Sequence, residues 1–185
     1  MRTSTLALPL AIALLMAGCT TTGGKDMLAA DAPRALPESG PVGVHWNDPA
    51  TFTELRHSRN RWDAERGNWV SELATYMRKR AEALLPNGER LELTITDVDR
   101  AGDYEPWHGA QHQDTRIVRD IYPPRMTVQV KHFDASGALV SEGERKLSDP
   151  AFLLGTTPIN DSDPLRYEKR MIDSWLRREL NTASR

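Results

Sequence analysis

The sequence predicts an α+β domain: an antiparallel sheet of about four strands with two helices packed on one face, in the order strand-helix-strand-strand-strand-helix. Three observations predict it. Leu91, Leu93 and Ile95 alternate with Glu92, Thr94 and Thr96, and Met126, Val128 and Val130 alternate with Thr127, Gln129 and Lys131. A period of two of this kind makes a strand with one apolar and one polar face. Two other stretches, one before and one after these strands, carry apolar residues at helical spacing.

In chain order, Val42, Val44 and Trp46 alternate with small or polar neighbours, and Asn47-Asp48-Pro49 turns the chain after a short first strand. A helix is expected from about Asn68 to Leu85, with a possible start as early as Asn60. Trp69, Leu73, Tyr76, Met77 and Leu84 form its stripe, Trp62 lies seven residues ahead, and Pro86-Asn87-Gly88 stops it. Aromatics at that spacing are expected in the core. After the Leu91 strand comes a long excursion, Gly102 to Pro124, in which Thr115 to Ile121 is expected to be extended. Asp134-Ala135-Ser136-Gly137 connects the Met126 strand to a return strand from Ala138 to about Lys146. Asp163 and Pro164 suit the opening of the last helix, whose apolar face is Leu165, Ile172, Trp175, Leu176 and Leu180. A right-handed crossover is the route by which the first strand would lie parallel to a neighbour. The far face of the sheet, polar throughout, is expected to be wet.

The N-terminus reads as an export signal. Arg2 precedes an apolar run from Leu6 to Met16, about 11 residues where a membrane span needs about 20. Leu15-Met16-Ala17-Gly18-Cys19 resembles the lipobox of bacterial lipoproteins, with Met16 where Leu is commoner. The expected organisation is a signal peptide over 1–18, a lipidated flexible tether over 19–41 and one globular domain over 42–185. Lipid on Cys19 would anchor the chain to a membrane, since two or more acyl chains hold stably. Thr20, in place of the Asp that would suggest inner-membrane retention, favours the outer membrane, with the domain facing the periplasm. The tether, rich in Thr, Gly and Pro, would reach roughly 25 Å as a coil.

Charge and chemistry exclude several classes. The formal net charge is −2, with 24 basic and 26 acidic residues, so no basic field invites nucleic acid. Cys19 is the single cysteine, which leaves the mature domain without a free thiol or a disulfide. No serine sits in a Gly-x-Ser-x-Gly elbow and no glycine-rich phosphate loop is present. No catalytic residue and no cofactor are therefore assigned.

Three clusters carry candidate chemistry. Asp97, Asp99, Asp103 and Glu105 put four carboxylates near a strand end, where they could hold a hard cation. Ala101 occupies an expected ligand position, and the alternative is that these carboxylates solvate the strand end or pair with Arg116, Arg119 and Arg125. His108 and His112, four apart, would share a helical face for Zn²⁺ with Asp114 or His132 as a third ligand, but Gly109 and Pro106 argue for a loop. Arg116, Arg119 and Arg125 could grip a phosphate or carboxylate, or brace Asp97 and Asp99. No metal ligand is assigned from these clusters.

Thr96-Asp97-Val98-Asp99-Arg100-Ala101-Gly102, then Arg116-Ile117-Val118-Arg119-Asp120 running into Pro123-Pro124-Arg125, resembles the bacterial family of exported proteins catalogued as domain of unknown function 3016. The early Val-x-Val-x-Trp-x-Asp-Pro, the Leu85-Pro86-Asn87-Gly88 stop and the last helix with Trp175 follow the same layout, over roughly residues 42 to 180. Arg100 stands where an apolar residue is expected. The resemblance implies an exported single-domain protein and supplies no catalytic residues. The expected function is a non-enzymatic envelope lipoprotein that binds another envelope protein or a cell-envelope component. The alternative is a metal-binding module or metal-dependent enzyme built on Asp97 and Asp99.

Overall fold

The computed structural model describes residues 28–29, 31–109, 112–154 and 162–183. The stretches expected to be a signal peptide and the first part of a tether, with the expected lipidation site Cys19, lie outside the described residues. Among the described residues six strands form: β1 (Val42–Trp46), β2 (Arg90–Asp99), β3 (Asp103–Tyr104), β4 (Arg116–Ile117), β5 (Arg125–Phe133) and β6 (Leu139–Ser148). The helices are α1 (Thr53–His57), α2 (Arg61–Glu65), α3 (Trp69–Glu82) and α4 (Arg166–Ala183).

The class is α+β, but the sheet is mixed. Its order is β1-β2-β5-β6, with β1 parallel to β2 and the other pairs antiparallel. The expectation of an antiparallel sheet is corrected at this edge, where β1 takes the parallel alternative. The connection from β1 to β2 contains α3, and a helical crossover of that length returns the chain in the direction it started. The excursion after β2 is also more ordered than its composition implied: β3 and β4 pair into a separate two-stranded ribbon. Only Arg116–Ile117 of the expected extended segment is strand.

One helical stretch becomes two. Asn60 caps α2 through its side chain, which accepts from the Asp63 amide, and Arg66 then turns extended. Gly67 adopts φ +83°, a left-handed conformation that L side chains resist. The helix restarts at Trp69, whose indole donates to the Ala64 carbonyl at 3.0 Å. Trp62 consequently leaves the stripe and lies 66% exposed, whereas Trp69 is buried. α3 ends at Glu82, short of Leu85, and α4 starts at Arg166, with Asp163 accepting from the Leu165 amide.

The core lies between one sheet face and the two long helices. Val42, Val44, Leu91, Leu93, Ile95, Met126, Val128 and Val130 meet Val70, Leu73 and Met77 of α3 and Ile172, Trp175 and Leu176 of α4. The opposite face keeps polar side chains, among them the exposed Gln129 and Lys131. Part of the stretch expected to be a tether packs against the domain. Ala32 is buried, Trp46 N–H donates to Arg34, and Leu36 N–H donates to Val44, so residues 34–36 run antiparallel beside β1 and cover that edge. No described helix is long and apolar enough to cross a membrane.

Candidate functional site

A bulge in β2 builds the site. Ile95 pairs with Val128, but Asp97 pairs with Thr127, so Thr96 is the extra residue. The shift brings Val98 onto the core face opposite Met126 and takes Asp97 and Asp99 off it. Asp99 then stands directly across from Arg125. Without the bulge, the alternation that buries Leu91, Leu93 and Ile95 would continue to Asp97 and Asp99, placing two carboxylates in the apolar layer.

Beyond β2 the chain turns at Arg100-Ala101-Gly102. Gly102 has φ +82°, and a Cβ there would lie 2.7 Å from the Ile117 carbonyl oxygen. That approach is what lets β3 and β4 close against the strand end. Arg116 of β4 holds the turn from within. It donates from Nε to the Ala101 carbonyl at 2.8 Å, and one terminal nitrogen donates to the Arg100 and Gly102 carbonyls at 2.9 Å.

Arg116 also grips Glu54 of α1 with both terminal nitrogens, at 2.8 and 2.9 Å. Glu54 is only 3% exposed. It accepts in addition from the Arg100 backbone amide and side chain, both at 2.9 Å, and the Arg100 guanidinium lies over the Trp69 ring. Burial pushes the Glu54 carboxyl upward, but Arg116 and Arg100 outweigh it and hold the group below its ordinary range. From the other side, Glu168 of α4 accepts from the Ala101 amide at 2.7 Å. Burial raises the Glu168 carboxyl above its ordinary value.

Glu54, Arg100 and Arg116 floor a cleft of about 210 Å³. Its walls come from α1 and the residues after it (Thr53, His57, Ser58, Arg59), from Asp99 and Asp103, and from Ile121, Tyr122, Pro123 and Arg125. Asp99 is pushed up to about 6, first by burial and then by the Glu54 charge, against the pull of Arg125 and Arg116. Trp107, 60% exposed, stands beside the cleft with the Arg59 guanidinium 5.1 Å from its ring centre. Ile121 is exposed as well.

The clustered residues sort differently from the sequence expectation. Asp97 has both oxygens engaged by Thr53, at 2.6 Å from the amide and 2.7 Å from the hydroxyl. Asp103 pairs with Arg59. Glu105 is buried, accepting from the Tyr122 hydroxyl and lying 2.8 Å from both Arg119 and His108. His112 is exposed, Asp114 accepts from Asn60, and His132 lies near the opposite end of β5 against Glu89. Among the described residues no three His, Cys, Asp or Glu side chains converge as metal ligands would. The three arginines do not all brace Asp97 and Asp99. Arg116 goes to Glu54, Arg119 to Glu105, and Arg125 alone faces Asp99, at 3.7 Å.

Glu54 was absent from the sequence candidates, because an acidic residue early in a short helix reads as ordinary solvated charge. Arg100, in a position expected to be apolar, was the one available signal of a buried partner.

The bulged acidic strand end and the arginine-bearing ribbon fall within residues 40–178, which match the family described as "Protein of unknown function (DUF3016)". The chain belongs to the DUF3016 family. The match spans every element from β1 to most of α4, so the cleft is made wholly of residues within the DUF3016 region. No curated protein and no solved structure matches the chain.

Proposed function

We propose that this DUF3016 protein is a non-enzymatic binding module of the bacterial cell envelope, lipid-anchored through Cys19 and facing the periplasm from the outer membrane. Its ligand is another envelope protein or an envelope component. The observation that carries the binding role is the cleft between α1, the end of β2 and the Ile121–Arg125 segment, with Ile121 exposed in its lining and Trp107 exposed against the lining residue Arg59. Tryptophan and arginine are the side chains most enriched where binding energy concentrates, and Arg59 and Trp107 stand together there. The floor is rigid, because Glu54, Arg100, Arg116 and Glu168 tie α1, α4 and the β2–β3 turn into one network. A preformed surface loses less freedom on binding.

In-cell cross-linking followed by mass spectrometry tests the reading. The parent chain is expected to capture a reproducible partner, and Trp107→Ala is expected to reduce that capture at unchanged abundance. Capture of monomer alone under several chemistries would overturn it. For the anchor, Cys19→Ser should abolish lipid labelling and release the chain from the membrane fraction.

A further inference from the structure

The charges of the same cleft narrow its ligand, an inference that rests on the binding reading above. We propose that the cleft binds an anionic group, a phosphate or a carboxylate, between Arg125 and Arg59, and that Asp99 makes this binding stronger in acid. Four arginines (Arg59, Arg100, Arg116 and Arg125) line the cleft against three carboxylates (Glu54, Asp99 and Asp103). The whole chain carries −2, so the positive surplus is local and concentrates anions at this place.

The arginines are not equivalent. Arg100 and Arg116 share the carboxylate of Glu54, with Glu168 within their electrostatic reach, so both are engaged in the floor. Arg59 is paired with Asp103 at the margin. Arg125 is held most loosely. Its side chain is 62% exposed, and Asp99 at 3.7 Å is beyond hydrogen-bond distance. A guanidinium so placed keeps donors for a two-oxygen acceptor, the geometry in which arginine binds phosphate and carboxylate best. A volume of about 210 Å³ admits such a group together with a few waters. Ile121 and Pro123 supply an apolar wall for whatever carries it.

Asp99 sets the pH response. It stands opposite Arg125 from β5 and feels Glu54 from α1, Arg116 from β4 and Asp97 on its own strand. His57, Arg59, Arg100 and Asp103 line the same space. Ionised Asp99 competes for Arg125 and repels an entering anion. Protonated, it stops competing and can itself donate a hydrogen bond to the anion.

The test measures affinity calorimetrically on the mature full chain in detergent, at constant ionic strength, near pH 5 and near pH 8. The probes are inorganic phosphate, glycerol phosphate as a lipid-headgroup mimic, and acetate. At least one is expected to bind, and parent affinity relative to Asp99→Asn should rise about tenfold from pH 8 to pH 5, a ratio in which the probe's own ionisation cancels. Arg125→Ala should abolish binding at both pH values. Asp99→Asn should bind about tenfold tighter than the parent at pH 8 and about equally at pH 5, which separates Asp99 from His57. Preference for glycerol phosphate would identify a headgroup, preference for inorganic phosphate a free anion, and preference for acetate a carboxylate. Binding of none of them, or binding indifferent to Arg125→Ala, overturns the anion site. A cross-linked partner still captured by Arg125→Ala would then show that the binding module stands without it.

Discussion

Glu54 and Arg116 face each other through two parallel hydrogen bonds, although 62 residues separate them in the chain. The pair joins α1 to the β3–β4 ribbon, and its second arginine, Arg100, joins both to the end of β2. A buried carboxylate shared by two guanidinia makes the strand end depend on one side chain.

Glu54→Gln should therefore be among the most destabilising substitutions in the domain. Removing one partner leaves the others charged and buried, at a cost of about 3–5 kcal/mol. Urea unfolding should show a lower midpoint with an unchanged slope. Arg116→Lys keeps the charge but loses the planar fork and the contacts to three carbonyls, and should cost about 2 kcal/mol. A loss under about 0.5 kcal/mol for Glu54→Gln would contradict the network.

The pH dependence of stability carries a signature of Asp99. Unfolded, the group releases its proton near its ordinary 3.8; folded, it does so at about 6. Between those values the folded state holds more protons, so this group's contribution to stability falls as pH rises through the window. Above about 6 the penalty is fully developed. Asp99→Asn should gain on the parent progressively from pH 4 to pH 7, by on the order of 1 kcal/mol after allowing for partial exposure. A difference that stays flat with pH would refute the assignment.

Gly102 is required for two reasons at once: its left-handed backbone and the 2.7 Å approach of the Ile117 carbonyl to a would-be Cβ. Gly102→Ala should cost about 2 kcal/mol or more. The same change at Gly67, where nothing lies within 4 Å, should cost less. Comparing the two melting temperatures isolates the close approach from the backbone conformation.

Between the long helices, the Tyr76 hydroxyl donates to Asp173 at 3.0 Å and Arg80 donates to the same carboxylate at 2.7 Å. Burial, then the bond and charge of Asp173, push the Tyr76 phenol up to about 12. Asp173→Asn should bring that titration down toward the ordinary value of about 10, measured by phenolate absorbance. No movement would mean that burial alone raises it.

Much of the scaffold was legible because its signals are local. The alternation at Leu91–Ile95 and Met126–Val130 marks two central strands, and the stripe of Leu73 and Met77 marks a helix, since each pattern repeats within the reach of one element. Trp62 shows where this fails. Its spacing to Trp69 suits a helical stripe, but the extended Arg66 and left-handed Gly67 separate the two residues into different helices. The cleft was only half legible. Asp99 and Arg125 lay in marked clusters, whereas Glu54 carried no local sign of burial.

By itself, then, the sequence determined the class of the domain, its apolar layer and the residue types gathered at the strand end. Periodicity and turn chemistry act over a few residues, and one chain is enough to read them. Only the tertiary structure decided that β1 lies parallel to β2, that Thr96 is a bulge, and that Arg116, Arg119 and Arg125 each meet a different acid. Those outcomes depend on which distant groups are brought within a few ångströms and withdrawn from water together. A carboxylate such as Glu54 becomes a structural centre only when Arg100 and Arg116 arrive to compensate it.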